Sequence, residues 1–180
     1  FKKTEDHFLP DLKKELKSSI DLELNEIIVS NLKNTNIPIL SEESNEDNIN
    51  FSEHDGKLWI IDPLDGTFNF VRGLPFSTVS IALYSSKTPL FSFVGIIPGF
   101  KLGFINLEGK AFFDNQEISV SSIKNKDEAV ICTGIPSRQI LNKKEKEIFF
   151  TNFETFSKVR MLGSASYSLL QLAKGSVDAY

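Results

Sequence analysis

The 180-residue sequence predicts an α+β fold whose largest element is an antiparallel sheet. Two observations carry that prediction. Between residues 57 and 122, short apolar or alternating runs follow one another with Pro, Gly and Asn turns between them. Segments with helical apolar spacing stand before and after that block. The composition is that of an ordinary globular chain, 41% hydrophobic and 24% charged, with 10 Gly and 7 Pro. Such a length can bury a real core.

Taken in order, residues 4–17 are polar and interrupted by Pro10, where a first helix can start. Residues 21–33 place Leu24, Ile27, Ile28 and Leu32 near helical spacing, with Asp21 at the start. IPIL (37–40) reads as a strand that runs into Ser41-Glu42-Glu43-Ser44. Residues 45–57 carry no apolar period and read as a loop. KLWIID (57–62) is a buried strand ending at Asp62-Pro63, and Thr67 opens a short helix. Strands follow at STVSIALYS (77–85), FSFVGIIP (91–98), KLGFINLEG (101–109), KAFFDN (110–115) and EISVSS (117–122). AVICTG (129–134) and KVRMLG (158–163) are strands around an amphipathic helix at 145–158. ASYSLLQLAKG (165–175) is a helix closed by Gly175, and SVDAY begins another strand.

Composition narrows the function. The net charge is −4, with 20 Lys plus Arg against 24 Asp plus Glu. That balance argues against a sequence-independent nucleic-acid binder, which needs a basic footprint. No run of about 18 apolar residues offers a membrane span. One cysteine, Cys132, excludes an intrachain disulfide and a cysteine zinc cage, and His7 and His54 are too few for a histidine site. A metal site would therefore be built from oxygen and hold a hard cation.

The densest chemistry lies in Asp62-Pro63-Leu64-Asp65-Gly66-Thr67. An apolar strand delivers two carboxylates three residues apart at a turn. Gly66 permits close backbone approach, and the Gly66 and Thr67 amides open a helix N-terminus that favours an anion. Taken alone, two such acids more often simply cap a turn. A second acid pair, Glu42-Glu43, ends another apolar strand. If the two strand ends converge, the like charges call for a cation.

The strings SEES (41–44), WIIDPLDGTFNF (59–70), GLPFSTVSIAL (73–83) and LGSASYSLLQLAKGSVDAY (162–180) resemble the inositol monophosphatase family, from about Lys17 to Tyr180. Cys132-Thr133-Gly134-Ile135-Pro136 is similar to a segment of bacterial members. The resemblance implies a layered α/β/α/β/α sandwich of the inositol monophosphatase/fructose-1,6-bisphosphatase type. Residues 1–122 would form a metal- and phosphate-binding lobe and 123–180 the beginning of a second, incomplete α/β lobe. It further implies Mg²⁺, two or three ions in the complete protein, held by Glu42, Asp62, the Leu64 carbonyl and Asp65. Glu42, Asp62 and Thr67 take the catalytic roles, with water attacking phosphorus directly. The Gly66 and Thr67 amides cradle phosphate, and Gly163, Ser164 and Ala165 line the polyol pocket. Asp21 resembles an acid beside the metal site, with a helix N-cap as its other reading. Glu43 is a solvated acid or a neighbour of the ligands.

The implied activity is hydrolysis of a small phosphorylated polyol, inositol 1-phosphate first, with lithium sensitivity, a cytoplasmic setting and a homodimer. The alternatives are a 3'(2'),5'-bisphosphate nucleotidase or a fructose-1,6-bisphosphatase of the same fold. Phe68-Asn69-Phe70 stands where the nucleotidases carry Lys-Glu-Phe, which favours the monophosphatase branch. A later Trp-Asp motif of the family and its substrate-binding acid have no counterpart before Tyr180. The expectation is thus part of a longer chain, weak or inactive alone. A catalytically incomplete remnant that binds metal or protein is the alternative of another class.

Overall fold

The computed structural model describes residues 8–44, 49–106, 108–135 and 140–180. His7, loop residues 45–48 and Pro136 of the sequence reading lie outside them.

Helix α1 runs unbroken over Phe8–Leu32. The expected separate helix beginning at Asp21 does not form. Pro10 sits in the first turn, where its missing N–H costs nothing, and the Leu, Lys and Glu that follow are strong helix formers. Asp21 is therefore mid-helix, and the N-cap reading falls. A 3₁₀ turn over Lys33–Thr35 and a left-handed Asn36 (φ 55°) end the segment.

Strand β1 spans Ile39–Ser41, one to two residues later than the apolar run suggests. It pairs in parallel with β2 (Lys57–Asp65), Ser41 lying opposite Ile61. Helix α2 (Thr67–Val71) follows. Then β3 (Ser77–Ser85), β4 (Thr88–Ile97), β5 (Leu102–Ile105), β6 (Ala111–Phe113) and β7 (Gln116–Glu117) continue the sheet antiparallel. The strand order of this seven-stranded sheet is the chain order. Two-residue turns with positive φ, Ser86-Lys87 and Asp114-Asn115, close the β3–β4 and β6–β7 hairpins.

The strand expected at 117–122 is cut to its first residue. Beyond Glu117 the chain leaves the sheet and packs against the end of the last helix, where a Cβ on Gly175 would stand 3.0 Å from the Ser119 carbonyl. A second, two-stranded parallel sheet joins β8 (Val130–Cys132) to β9 (Lys158–Arg160), with α3 (Lys143–Glu154) between them in sequence. The strand expected at 176–180 is represented by a single bridge, Ala179 to Ile131.

Helix α4 (Ala165–Ala173) lies across β2, β3 and β4. Ser164 caps it, accepting from the Tyr167 amide at 3.1 Å. Leu170 fills the space above β5, where a Cβ on Gly103 would come within 2.5 Å of it. α1 packs against β2 and α2. The core lies between these helices and the large sheet, around Leu58, Ile61, Leu64, Ile96 and Leu170.

Candidate active site

Parallel pairing brings the two acid runs together. Because β1 and β2 point the same way, both end at one sheet edge. The Glu42 amide donates to the Ile61 carbonyl at 3.2 Å, which sets Glu42 beside Asp62. The Glu42 charge therefore bears on the Asp62 carboxyl.

Asp62 and Asp65 are brought to one face by a bulge. Residues three apart on a regular strand point to opposite faces. Between Asp62, opposite Ser80, and Asp65, opposite Thr78, β2 carries one residue more than β3. The extra residue restores a common face. Pro63, buried and without an N–H, occupies the irregular stretch, and the Leu64 amide turns back to Asp62 Oδ1 at 3.1 Å.

Burial first, then the charges of Glu42 and Asp65, push the Asp62 carboxyl up from 3.8 to about 7. Asp62 and Glu42 line a groove of about 520 Å³ together with Leu40, Ile60 and Ala82. Ser80, across the strand pair from Asp62, has a buried hydroxyl that finds no partner among the described residues.

Asp65 is held differently. Its Oδ2 accepts from the Ser164 hydroxyl (2.8 Å), the Ser166 amide (2.7 Å) and the Ser166 hydroxyl (2.6 Å). Gly66 follows at φ +79°, where a Cβ would lie 2.7 Å from the Phe76 carbonyl, so this turn requires glycine. Thr67 begins α2 with no side chain capping the helix. The Thr67 hydroxyl lies 3.1 Å from Asp21 Oδ1 and 2.9 Å from the Leu64 carbonyl, both acceptors of its proton. Asp21 is only 5% exposed, so α1 brings it into the site from 46 residues away.

Asn69 is a residue that sequence reasoning used only to separate family branches. It is buried, and its amide donates to the Phe76 carbonyl (2.9 Å) and the Leu162 carbonyl (2.7 Å). It thereby ties the segment before α4 to the signature loop. Its place directly after the signature string was the available signal. Gly163 (φ +72°) leaves room for that amide, since a Cβ there would meet it at 3.1 Å. Ser164 is buried and Ala165 exposed at this edge. Glu43 is half-buried, its amide donating to the Ser41 hydroxyl at 3.3 Å.

Among the described residues no three carboxylate, histidine or cysteine side chains close round one point as a ready metal cage. The donor set is nonetheless that of a hard cation: oxygen throughout, with one acid driven towards protonation by burial and then by the charges of its neighbours. Of the other residues weighed, Cys132 is buried, which raises its thiol, and Arg72 is exposed with its guanidinium 5.8 Å from the Phe68 ring centre. The His54 ring lies 3.2 Å from the Lys57 carbonyl, and the half-buried Trp59 donates to the Thr35 hydroxyl at 3.0 Å.

Known proteins resemble this chain over most of its length. An inositol monophosphatase of Dictyostelium discoideum is 31% identical over 173 residues, covering 92% of this chain and 62% of its own length. A "fructose-1,6-bisphosphatase/inositol-1-monophosphatase" of Thermotoga maritima is 30% identical over 173 residues, covering 93% of this chain and 62% of its own. The crystal structure of inositol monophosphatase II from Staphylococcus aureus superposes with a TM-score of 0.80 at 25% identity, over 92% of this chain and 63% of that one. The chain thus spans about three fifths of the length of these relatives, and the α+β fold is theirs. The profile described as "Inositol monophosphatase family" matches residues 3–180, so nearly every residue discussed above falls within it, and the chain belongs to the inositol monophosphatase family.

Proposed function

We propose that this chain carries the cation- and phosphate-binding part of a Mg²⁺-dependent phosphate monoester hydrolase, with a small phosphorylated polyol, inositol 1-phosphate first, as substrate. The observation that carries the reading is the convergence of three acids at one sheet edge: the parallel pairing sets Glu42 beside Asp62, and the bulge in β2 turns Asp65 to the same face. Crowded carboxylates at the end of two parallel strands are costly until a cation neutralises them. Glu42, Asp62, the Leu64 carbonyl and Asp65 are the oxygens that would hold it. When bound there, a divalent ion would supply positive charge for the phosphoryl oxygens and make a nearby water more acidic.

The chain's own groups do the rest. The Thr67 hydroxyl gives its proton to Asp21 or the Leu64 carbonyl, so its lone pairs accept from an attacking water and orient it. Glu42 shares that water. The Gly66 and Thr67 amides, at a helix start no side chain caps, donate to phosphoryl oxygens. Gly163, Ser164 and Ala165 form the alcohol side of the pocket, held at the site by Asn69 and Asp65. Asp21 and Glu43 support the ligands from outside. Residues 1–122 and 123–180 are the two lobes in this reading.

The name of the Thermotoga maritima relative favours fructose 1,6-bisphosphate as second candidate. The experiment is phosphate release by the full-length protein from inositol 1-phosphate, fructose 1,6-bisphosphate and adenosine 3',5'-bisphosphate, with Mg²⁺ and with EDTA. Inositol 1-phosphate is expected to turn over fastest, and only with Mg²⁺. Asp62→Asn is expected to reduce turnover to background; activity near wild type in that variant overturns the assignment.

A further inference from the structure

Asp65 is opposite Thr78 in the β2–β3 pairing, and Ser166, in the first turn of α4, bridges the two. The direction of the bridge follows from proton counting. A carboxylate oxygen can only accept, so the Ser166 hydroxyl gives its single proton to Asp65 Oδ2 at 2.6 Å. The Thr78 hydroxyl, which also contacts Ser166 Oγ, must then be the donor in that pair. Thr78 is fully buried, so no water competes for that proton. Two hydroxyls in series polarise each other and end on one carboxylate oxygen.

That oxygen is saturated. Besides the Ser166 hydroxyl it takes the Ser164 hydroxyl and the Ser166 amide, a helix-start N–H that lacks an intrahelical acceptor. Every hydrogen bond to the Asp65 carboxyl among the described residues ends on Oδ2, and none on Oδ1. Three donors from one helix start therefore fix the plane of the carboxylate and leave a single oxygen uncommitted.

We propose that Thr78 and Ser166 are positioning residues, a hydroxyl chain that locks Asp65 so that Oδ1 alone is presented to a divalent cation. This rests on the reading of Asp65 as a cation ligand. Partners that orient a ligand carboxylate typically change metal affinity about 10- to 100-fold when removed.

The test is calorimetric titration of the full-length protein with MgCl₂, beside the Mg²⁺ dependence of turnover. Ser166→Ala is expected to weaken Mg²⁺ binding about 10-fold. Thr78→Val is expected to weaken it less, because Thr78 reaches Asp65 only through the hydroxyls of Ser166 and, at 3.5 Å, Ser164. Ser166→Thr, which keeps the hydroxyl, is expected to restore affinity. The half-saturating Mg²⁺ concentration should shift in parallel, while KM for the ester at saturating Mg²⁺ stays within about two-fold. A merely structural role would lower thermal stability without this split. Wild-type Mg²⁺ affinity in both Ser166→Ala and Thr78→Val, with binding lost in Asp65→Asn, overturns the hydroxyl chain and leaves the ligand reading standing. Wild-type affinity in Asp65→Asn overturns both. Thr78→Val preserves shape in the core, so it decides the matter should Ser166→Ala fold poorly.

Discussion

Asp21, in the middle of α1, lies 3.1 Å from the Thr67 hydroxyl across 46 residues of chain and shares its proton with the Leu64 carbonyl at 2.9 Å. The contact gives a buried carboxylate a donor and turns the lone pairs of the threonine outward. Thr67→Ser keeps the hydroxyl and is expected to retain activity within about 10-fold, whereas Thr67→Val should lose about 100-fold or more in kcat. Asp21→Ala leaves the Leu64 carbonyl as acceptor and should lose less than Thr67→Val. Steady-state kinetics of the three variants checks the order.

Asp62 makes stability depend on pH in the direction opposite to a salt-bridged acid. Its carboxyl is pushed to about 7 in the folded chain, mainly by burial and then by Glu42 and Asp65, against 3.8 ordinarily. Between those values the folded state binds more protons than the unfolded state, so stability falls as pH rises from about 4 to about 7 and then levels. Thermal melts of the protein in EDTA across that range should show the fall. Asp62→Asn should flatten it, and saturating Mg²⁺ at pH 8 should reverse it.

Asn69 uses both amide hydrogens on carbonyls of separate segments, Phe76 and Leu162. Asn69→Ala would leave two part-buried acceptors unmet and should destabilise by about 2–3 kcal/mol. It should also raise KM, because the segment that follows Leu162 loses its anchor. Urea denaturation together with KM measurement separates the two effects.

Gly66 has no room for a methyl group. With φ at +79° and the Phe76 carbonyl 2.7 Å from the Cβ position, Gly66→Ala should cost about 1–3 kcal/mol in backbone strain alone. The denaturation midpoint should fall, and any folded protein should show impaired turnover.

Much of this architecture is legible from local pattern. The alternation in STVSIALYS marks β3 to the residue, and the acids that end β1 and β2 suggest a shared edge. Some features escaped because they depend on partners distant in sequence. The bulge that turns Asp62 and Asp65 to one face is set by register against β3. The grip on Asp65 comes from residues about 100 positions later. The continuity of α1, by contrast, had a local signal that the reading of 4–17 as polar passed over: Leu9, Leu12, Leu16 and Ile20 recur at helical spacing ahead of Asp21. The segment after Glu117 has strand-like alternation, yet tertiary packing against the end of α4 takes it from the sheet.

The central claim is that oxygens from residues 42, 62, 64 and 65 share a divalent cation. Crystals of the full-length protein soaked in Mn²⁺ and measured at the manganese edge test it most directly. The account predicts an anomalous peak within bonding distance of the Asp62 carboxylate, with Glu42, the Leu64 carbonyl or Asp65 Oδ1 completing the contacts. A fully soaked crystal with no peak there, or with its only strong peak elsewhere, would contradict it.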